Sequence, residues 1–266
     1  MYIIPAEFQE FISPACDRTA FIQNYLAKAG IECPVMQIEG KNHLYVKFPR
    51  QQYDPMFKIK TVLAHYDRIG CGANDNSAAV FCLLEWAASL AAQANAIHNI
   101  RLLFTDGEEL GSGGVEEQGA FALAKVFKRL GITNDDIYVF DCMGRGDVPI
   151  LARTDIKAKV NPAFAKAFSS LEKRALKLIS QSSGGKWFCL PCSWSDNAGF
   201  IANGIPAVAI TMLPSSEVND VLNGANPLTW QLLHTDQDNI TSLTPDSFLV
   251  FRSILNNLAR QKTLAI

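Results

Sequence analysis

Acidic and histidine side chains follow several apolar runs of this sequence, and both types bind divalent metals. Three runs lead into such residues: one into His65, one through Asp106-Gly107 into the pair Glu108-Glu109, and one into Asp141. Asp75 and His234 lie in polar segments between runs. Imidazole and carboxylate groups suit zinc and its first-row neighbours. One catalytic zinc needs only three protein ligands, so five ligands favour two ions roughly 3.5–4 Å apart that share a bridging carboxylate. A spare carboxylate could then move protons. The pattern indicates metal-assisted hydrolysis.

The predicted elements explain how these side chains could meet. Apolar runs predict strands at 44–48, 61–64, 100–105, 137–140 and 207–212. Helical spacing predicts helices at 17–29, 78–92, 119–130, 164–179 and 245–260. Alternating strands and helices predict an α/β fold, with a mixed, mainly parallel sheet covered by helices on both faces. Ligands of such sheets bind at the carboxyl ends of the strands, where the candidate residues lie.

Length and composition favour one domain and exclude several classes of function. The 266 residues, 48% of them hydrophobic, can bury a large core, and we expect residues 1–266 to form a single domain. A net charge of −2 gives no basic surface for nucleic acid. The sequence contains no run of 18 apolar residues, so we expect no membrane-spanning helix. The first residues lack the basic segment of a signal peptide. An odd number of cysteines, seven, fits reduced thiols and a cytoplasmic protein.

Six sequence blocks, in order between about Thr61 and Asn239, resemble the co-catalytic di-zinc aminopeptidase family. This family includes bacterial leucyl aminopeptidases and aminopeptidase Y, with glutamate carboxypeptidase, glutaminyl cyclase and the transferrin receptor as relatives. The blocks are Ala64-His65-Tyr66-Asp67, Gly72-Ala73-Asn74-Asp75-Asn76-Ser77, Asp106-Gly107-Glu108-Glu109-Leu110-Gly111, Phe140-Asp141, Gly204-Ile205-Pro206-Ala207 and His234-Thr235-Asp236-Gln237-Asp238. The resemblance implies a zinc-exopeptidase fold of the phosphorylase/hydrolase-like type.

The resemblance also implies a role for each candidate residue. Asp75 would bridge two zinc ions, His65 and Asp141 would complete one site, and Glu109 and His234 would complete the other. Glu108 would be the general acid/base, and the Asp75–Asn76 peptide bond is expected to be cis. Asp67 is similar to the family's carboxylate that orients the ligand histidine, a role that physical reasoning also predicts. Mn²⁺ and Co²⁺ accept the same ligands as zinc.

The expected function is that of an aminopeptidase acting on short peptides. A glutaminyl cyclase, with one zinc, is the first alternative. Cyclases typically carry an aromatic stretch after the glutamate pair and Asp-Asp-His further on, whereas this chain has Leu110-Gly111-Ser112-Gly113-Gly114 and Ser195-Asp196-Asn197. An inactive binding module on the same fold is the second alternative, but all six site positions are retained. Asn197 stands where the family commonly has a histidine that is not a metal ligand, which bears on substrate recognition.

Several other residues have simpler interpretations. His43 and His98 lack any ligand context, and we expect them to be structural or solvent-facing. Cys189 and Cys192 have zinc-knuckle spacing but no partner pair, so we expect an ordinary loop there. The long loops predicted at 142–161, 180–197 and 213–233 are expected to shape the substrate pocket. Four aromatic residues of these loops either line that pocket or pack on the core: Trp187, Phe188, Trp194 and Trp230.

Overall fold

The central strands of the fold are continuous apolar runs because helices cover both of their faces. A computed structural model describes residues 2–93, 95–155 and 161–265, and these form nine helices and eight strands. The helices are α1 (Ala6–Ile12), α2 (Arg18–Lys28), α3 (Ala78–Ala92), α4 (Gly119–Arg129), α5 (Pro162–Ser182), α6 (Asn197–Ala202), α7 (Val218–Leu222), α8 (Leu228–Leu232) and α9 (Pro245–Arg260). The strands are β1 (Val35–Ile38), β2 (Lys41–Val46), β3 (Lys60–His65), β4 (Ile100–Thr105), β5 (Asp136–Phe140), β6 (Val148–Ala152), β7 (Phe188–Leu190) and β8 (Ala207–Leu213).

The strands form one mixed sheet in the order β1-β2-β4-β3-β5-β8-β6-β7. Its centre, β4-β3-β5-β8, is parallel, and antiparallel pairings join β1 to β2, β2 to β4 and β6 to β8. In the register of the central strands, His65 lies opposite Thr105 and Leu63 opposite Val139. The ends of β3, β4 and β5 therefore meet at one edge, which is the placement that the strand predictions required.

Alternate residues of each central strand enter two different cores. Val62 and Ala64 of β3 point into the larger core, which α3, α5 and α9 cover together with the two N-terminal helices. Leu63, between them, points into a second core beneath α4 and α6. This alternation follows from the two-residue repeat of a strand, and it explains why the runs contain so few polar positions. The predicted single-domain α/β fold with helices on both faces is confirmed.

Most predicted elements are present, with small changes at their ends. Helix α2 begins after Asp17, whose carboxylate accepts a hydrogen bond from the Ala20 N–H at 3.0 Å. Helices 78–92 and 245–260 and strand 100–105 have the predicted bounds. The strand predicted at 44–48 is shifted, because it pairs with β1 from Lys41 and ends at Val46.

The prediction that 142–161, 180–197 and 213–233 are long loops was wrong in part. Strand β6 lies in the first segment and β7 in the second, where the two pair in parallel and extend the sheet. The third segment contains the short helices α7 and α8. Cys189 is therefore in a strand instead of the ordinary loop that we expected. Residues 156–160 of the first segment lie outside the described residues. Within the described part of the chain, no helix is both long and apolar enough to cross a bilayer.

Candidate metal centre and catalytic site

Two groups of three potential metal ligands lie side by side at the carboxyl ends of β3, β4 and β5. His65, Asp75 and Asp141 form the first group, and Asp75, Glu109 and His234 form the second. Within each group, one ligand atom of each residue lies within 4.8 Å of the others. The structure thus brings together all five residues that the sequence singled out as ligands, and Asp75 belongs to both groups.

Asp75 places one carboxylate oxygen towards each histidine. Its Oδ1 is 3.2 Å from His65 Nε2, and its Oδ2 is 3.1 Å from His234 Nε2. On the far sides, His65 Nε2 is 3.5 Å from Asp141 Oδ1, and His234 Nε2 is 3.0 Å from Glu109 Oε2. A carboxylate with its two oxygens directed into separate ligand groups has the geometry that bridging two cations requires.

The turn Ala73–Ser77 presents Asp75, and the Asp75–Asn76 peptide bond within it is cis, as expected. Asp238 holds this turn, because its carboxylate accepts hydrogen bonds from the N–H groups of Asn74 and Asp75 at 2.7 and 3.0 Å. Asp238 lies four residues after His234, so one side chain ties the two ligand loops together. Asp238 is the last residue of the sixth sequence block, but no role was predicted for it.

The asparagines on either side of Asp75 fix the segment that carries Asp141. Asn76 donates to the Phe140 carbonyl at 2.9 Å and accepts from the Cys142 N–H at 3.2 Å. Asn74 accepts from the Gly144 N–H at 2.8 Å. These contacts were not predicted from the sequence. The only signal was the presence of two amide side chains beside a proposed ligand.

Asp67 contacts the ligand set from behind, and its main-chain carbonyl lies 3.3 Å from His65 Nδ1. Its Oδ1 is 3.5 Å from His65 Nδ1, and its Oδ2 accepts the Glu109 N–H at 3.0 Å. With Nδ1 directed at Asp67, the His65 ring turns Nε2 towards Asp75 and Asp141. Such a partner orients a ligand histidine and increases its basicity.

Glu108 belongs to neither ligand group but lies beside both. Burial raises the pKa of its carboxyl to about 9, and the nearby charges of Asp141 and Asp196 add to this effect. Burial raises the pKa of Glu109 to about 7, with Asp75 as the next cause. Burial alone would raise the pKa of Asp75, but hydrogen bonds from His234 and His65 outweigh it and lower that pKa. Anionic groups are crowded here, and divalent cations would relieve their repulsion. The donor set fits zinc.

A cavity of about 330 Å³ opens beside Glu108, Asp75 and Asp141. Of the four aromatic candidates, Trp194 and Trp230 line it, whereas Trp187 packs against the main core and Phe188 lies in β7. Its other walls are mostly small or apolar, and they include Cys142, Ala152, Cys192, Ala209, Ile210 and Leu233. Cys142 was not a candidate in the sequence analysis.

The remaining candidates lie outside the ligand groups. His43 is buried, which lowers its pKa to about 4, and its Nδ1 accepts the Asp106 N–H at 3.3 Å. The His98 ring is 3.1 Å from the Gln52 side chain. No cysteine belongs to a metal-binding group among the residues described. Asn197 begins α6 and accepts from the Ser195 N–H at 3.3 Å, so its amide oxygen is directed at its own loop.

Residues 45–259 match the sequence profile of Peptidase family M28. The chain belongs to this family. The match confirms the resemblance identified from the six blocks, and it supports a zinc-dependent peptidase. A comparison with curated proteins finds no match.

Solved structures of two activities share the M28 fold of this chain. The LapA aminopeptidase of Legionella pneumophila has a TM-score of 0.68 at 16% identity, covering 97% of this chain and 75% of its own. The glutaminyl cyclase of Porphyromonas gingivalis has a TM-score of 0.68 at 17% identity, covering 96% and 95%. BSAP, a zinc aminopeptidase from Bacillus subtilis, has a TM-score of 0.58 at 17% identity, covering 82% and 49%.

Removal of metal by a chelator should lower the thermal midpoint by at least about 5 °C at pH 8, and by less at pH 5.5. In the metal-free protein the pKa of Glu109 is raised to about 7, so folding favours its protonated form. The stability that this form contributes is lost as pH rises through about 7. Calorimetry of chelated and zinc-loaded protein at both pH values measures the difference. Equal midpoints at pH 8 would contradict a metal centre at this site.

Proposed function

We propose that this M28 protein is an aminopeptidase that removes N-terminal residues from short peptides. The observation that carries the proposal is the pair of three-ligand groups sharing Asp75. We assign two zinc ions to them, one held by His65, Asp75 and Asp141 and the other by Asp75, Glu109 and His234. When bound, such ions polarise a scissile carbonyl and increase the acidity of water.

Glu108 is the group that moves the proton in this reaction. With two divalent cations bound, their charge would lower the raised pKa of Glu108 and leave it ionised. Its carboxylate takes a proton from the attacking water, and the same proton is later delivered to the amine that leaves. The C–O bond forms first, and the C–N bond breaks when the amine leaves with that proton, so each turnover yields a free amino acid and a peptide shortened by one residue. Glu108 suits this role because it borders the cavity and belongs to neither ligand group.

The surroundings of the site support a substrate with a free amine and an uncharged first side chain. The N-terminal amine would lie beside the ligand groups, because the first peptide bond is the one that is cleaved. The cavity would receive the first side chain between Trp194, Trp230 and Leu233. Away from the ligands the lining is uncharged, which favours uncharged over charged first residues.

A glutaminyl cyclase is the second candidate. The observation in its favour is size, because this chain covers 95% of the Porphyromonas gingivalis cyclase but 75% of LapA. Cyclisation would use one zinc and would release ammonia from an N-terminal glutamine without consuming water. The second ligand group has no evident use in that reaction, which is why we favour hydrolysis.

The compartment and the metal in the cell are further parts of the proposal. All seven cysteines are free thiols, which is typical of proteins from a reducing compartment, so we assign the protein to the cytoplasm. We expect zinc in preference to Mn²⁺ or Co²⁺, although all three accept these ligands.

Zinc-loaded protein should release the chromophore from leucine- and phenylalanine-anilides and should leave their N-acetylated counterparts intact. A peptide that begins with glutamine tests the second candidate, since ring closure releases ammonia and lowers the mass by that amount. Mass spectrometry distinguishes the two products. Ring closure without anilide hydrolysis would replace the peptidase by a cyclase. Two bound zinc ions without either reaction would favour an inactive binding module.

A further inference from the structure

A glutamine outside the predicted site touches the general base. The Gln118 side-chain N–H donates to Glu108 Oε1 at 2.8 Å, and the Gln118 residue is only 6% exposed. Gln118 lies ten positions further along the chain, immediately before α4. We propose that Gln118 is a positioning residue that fixes one oxygen of Glu108 and leaves the other directed at the substrate. The inference rests on the proposed function, because it assigns a purpose to the contact only if Glu108 is the base.

The backbone on either side of Gln118 brings its side chain next to Glu108. The Gly119 N–H donates to the Gly107 carbonyl at 3.1 Å, which sets Gln118 directly beside Glu108. A Cβ on Gly119 would lie 1.9 Å from the Asp106 carbonyl oxygen, so only glycine allows this approach. The loop between the two residues also closes on itself, with the Gly111 N–H donating to the Glu108 carbonyl at 3.0 Å.

Gly111 provides the space that the Gln118 side chain occupies. A Cβ on Gly111 would lie 2.7 Å from Gln118 Cγ and 3.0 Å from its Nε2. Either the methyl group or the glutamine would have to move. Gly111→Ala therefore disturbs the contact without changing either hydrogen-bonding residue.

The hydrogen bonding of Gln118 argues against a purely structural purpose. Its Oε1 is buried, and no donor among the described residues reaches it. Rotating the amide would direct that oxygen at the Glu108 carboxylate and lose the existing bond. A buried, unpaired carbonyl oxygen is destabilising. This glutamine therefore lowers stability while it holds the base, as expected when function and stability conflict.

Gln118→Met keeps the length of the side chain and removes the donor. We expect kcat to fall about 10-fold, with KM and bound zinc within about twofold of wild type, since partners that orient site residues typically contribute 10–100-fold. The thermal midpoint should be unchanged or higher. Gly111→Ala should lower kcat in the same direction. Gln118→Met with an unchanged kcat would overturn the proposal.

Gln52→Met is the matched control. Gln52 is also a buried glutamine, but its amide donates to the Leu90 and Gln93 carbonyls at 3.1 and 3.3 Å. It lies beside the residues that precede β4, at the opposite end of that strand from the glutamate pair. We expect this variant to lose thermal stability and to keep its kcat. A fall in kcat for both glutamine variants would indicate a general loss of packing and would count against positioning.

A double-mutant cycle tests whether Gln118 acts through Glu108. In a Glu108→Ala background, Gln118→Met should change the residual kcat by less than about twofold, because the group that it positions is gone. The same 10-fold loss in that background would overturn the proposal.

An NMR measurement, which needs no catalytic turnover, distinguishes failure of this inference from failure of the proposed function. In protein labelled with ¹⁵N-glutamine, the Gln118 side-chain amide signal is the one that Gln118→Met removes. We expect one of its protons downfield, and we expect it to shift upfield in Glu108→Ala. An unshifted signal would disprove the contact even in an active enzyme. Wild-type protein that is inactive on every substrate would instead refute the proposed function, and with it the catalytic purpose of the contact.

Discussion

Replacing Glu108 by glutamine should lower kcat by about 10³-fold, within the range of about 10²–10⁴ for the loss of a general acid/base. The amide has nearly the shape of the carboxylate, but it cannot take a proton from water. Zinc content should stay at the wild-type value, because Glu108 belongs to neither ligand group. KM should stay within about threefold, since the walls of the cavity are unchanged. Steady-state kinetics on the leucine anilide, with metal analysis of the same sample, measures all three quantities.

Glu116→Gln is the control for this variant. Glu116 lies on the same loop, is exposed and belongs to neither ligand group. Its replacement removes the same charge, so we expect kcat to remain within about twofold of wild type. If Glu108→Gln kept more than about a tenth of the wild-type kcat, Glu108 would not be the base.

Replacing Asp75 by asparagine should abolish tight metal binding at both ligand groups and, with it, measurable hydrolysis. Asp75 is the only residue shared by the two groups, and it directs one oxygen at each histidine. Residues that merely orient ligands already contribute 10–100-fold to metal affinity, so losing a bridging ligand should weaken binding by at least about 100-fold. Titration calorimetry with zinc on the metal-free protein measures both affinities.

Single-site variants give the comparison that makes this result specific. Asp141→Asn removes a ligand of the first group only, and Glu109→Gln removes one of the second only. Each should weaken one of two binding events and leave the other near its wild-type affinity. Should Asp75→Asn still bind two ions as tightly as wild type, the bridging assignment would be wrong. A single binding event in the wild type would favour the one-zinc reaction of a cyclase.

The polar side chains at strand ends were predictable because periodicity locates the strands. His65 is the last residue of β3, Asp141 directly follows β5, and the glutamate pair lies in the loop after β4. Parallel neighbours in a sheet bring such ends together whatever the loops do. The proposed division of roles between Glu108 and Glu109 comes from the family resemblance of the sequence blocks, because spacing alone does not distinguish two adjacent and chemically alike residues.

The edge strands were not predictable from local pattern. Strand β7 has three residues, too few for a period, and β6 contains Pro149, which usually argues against a strand. Both exist because they pair with each other and because β6 pairs with β8. Strand formation here depends on partners distant in sequence, and no short window contains that information.

The fold class, the six candidate groups and the edge of the sheet where they lie could be predicted from the sequence. The contacts that hold those groups in place are visible only in the folded chain. Asp238 accepts a hydrogen bond from Asn74 in the turn that carries Asp75, 164 residues earlier in the sequence. Gln118 reaches Glu108 only because Gly111 and Gly119 allow the loop to close. Periodicity reports which face of an element is buried, whereas contacts between polar side chains depend on loop paths. Those paths are set by hydrogen bonds between segments that no pattern in the sequence connects.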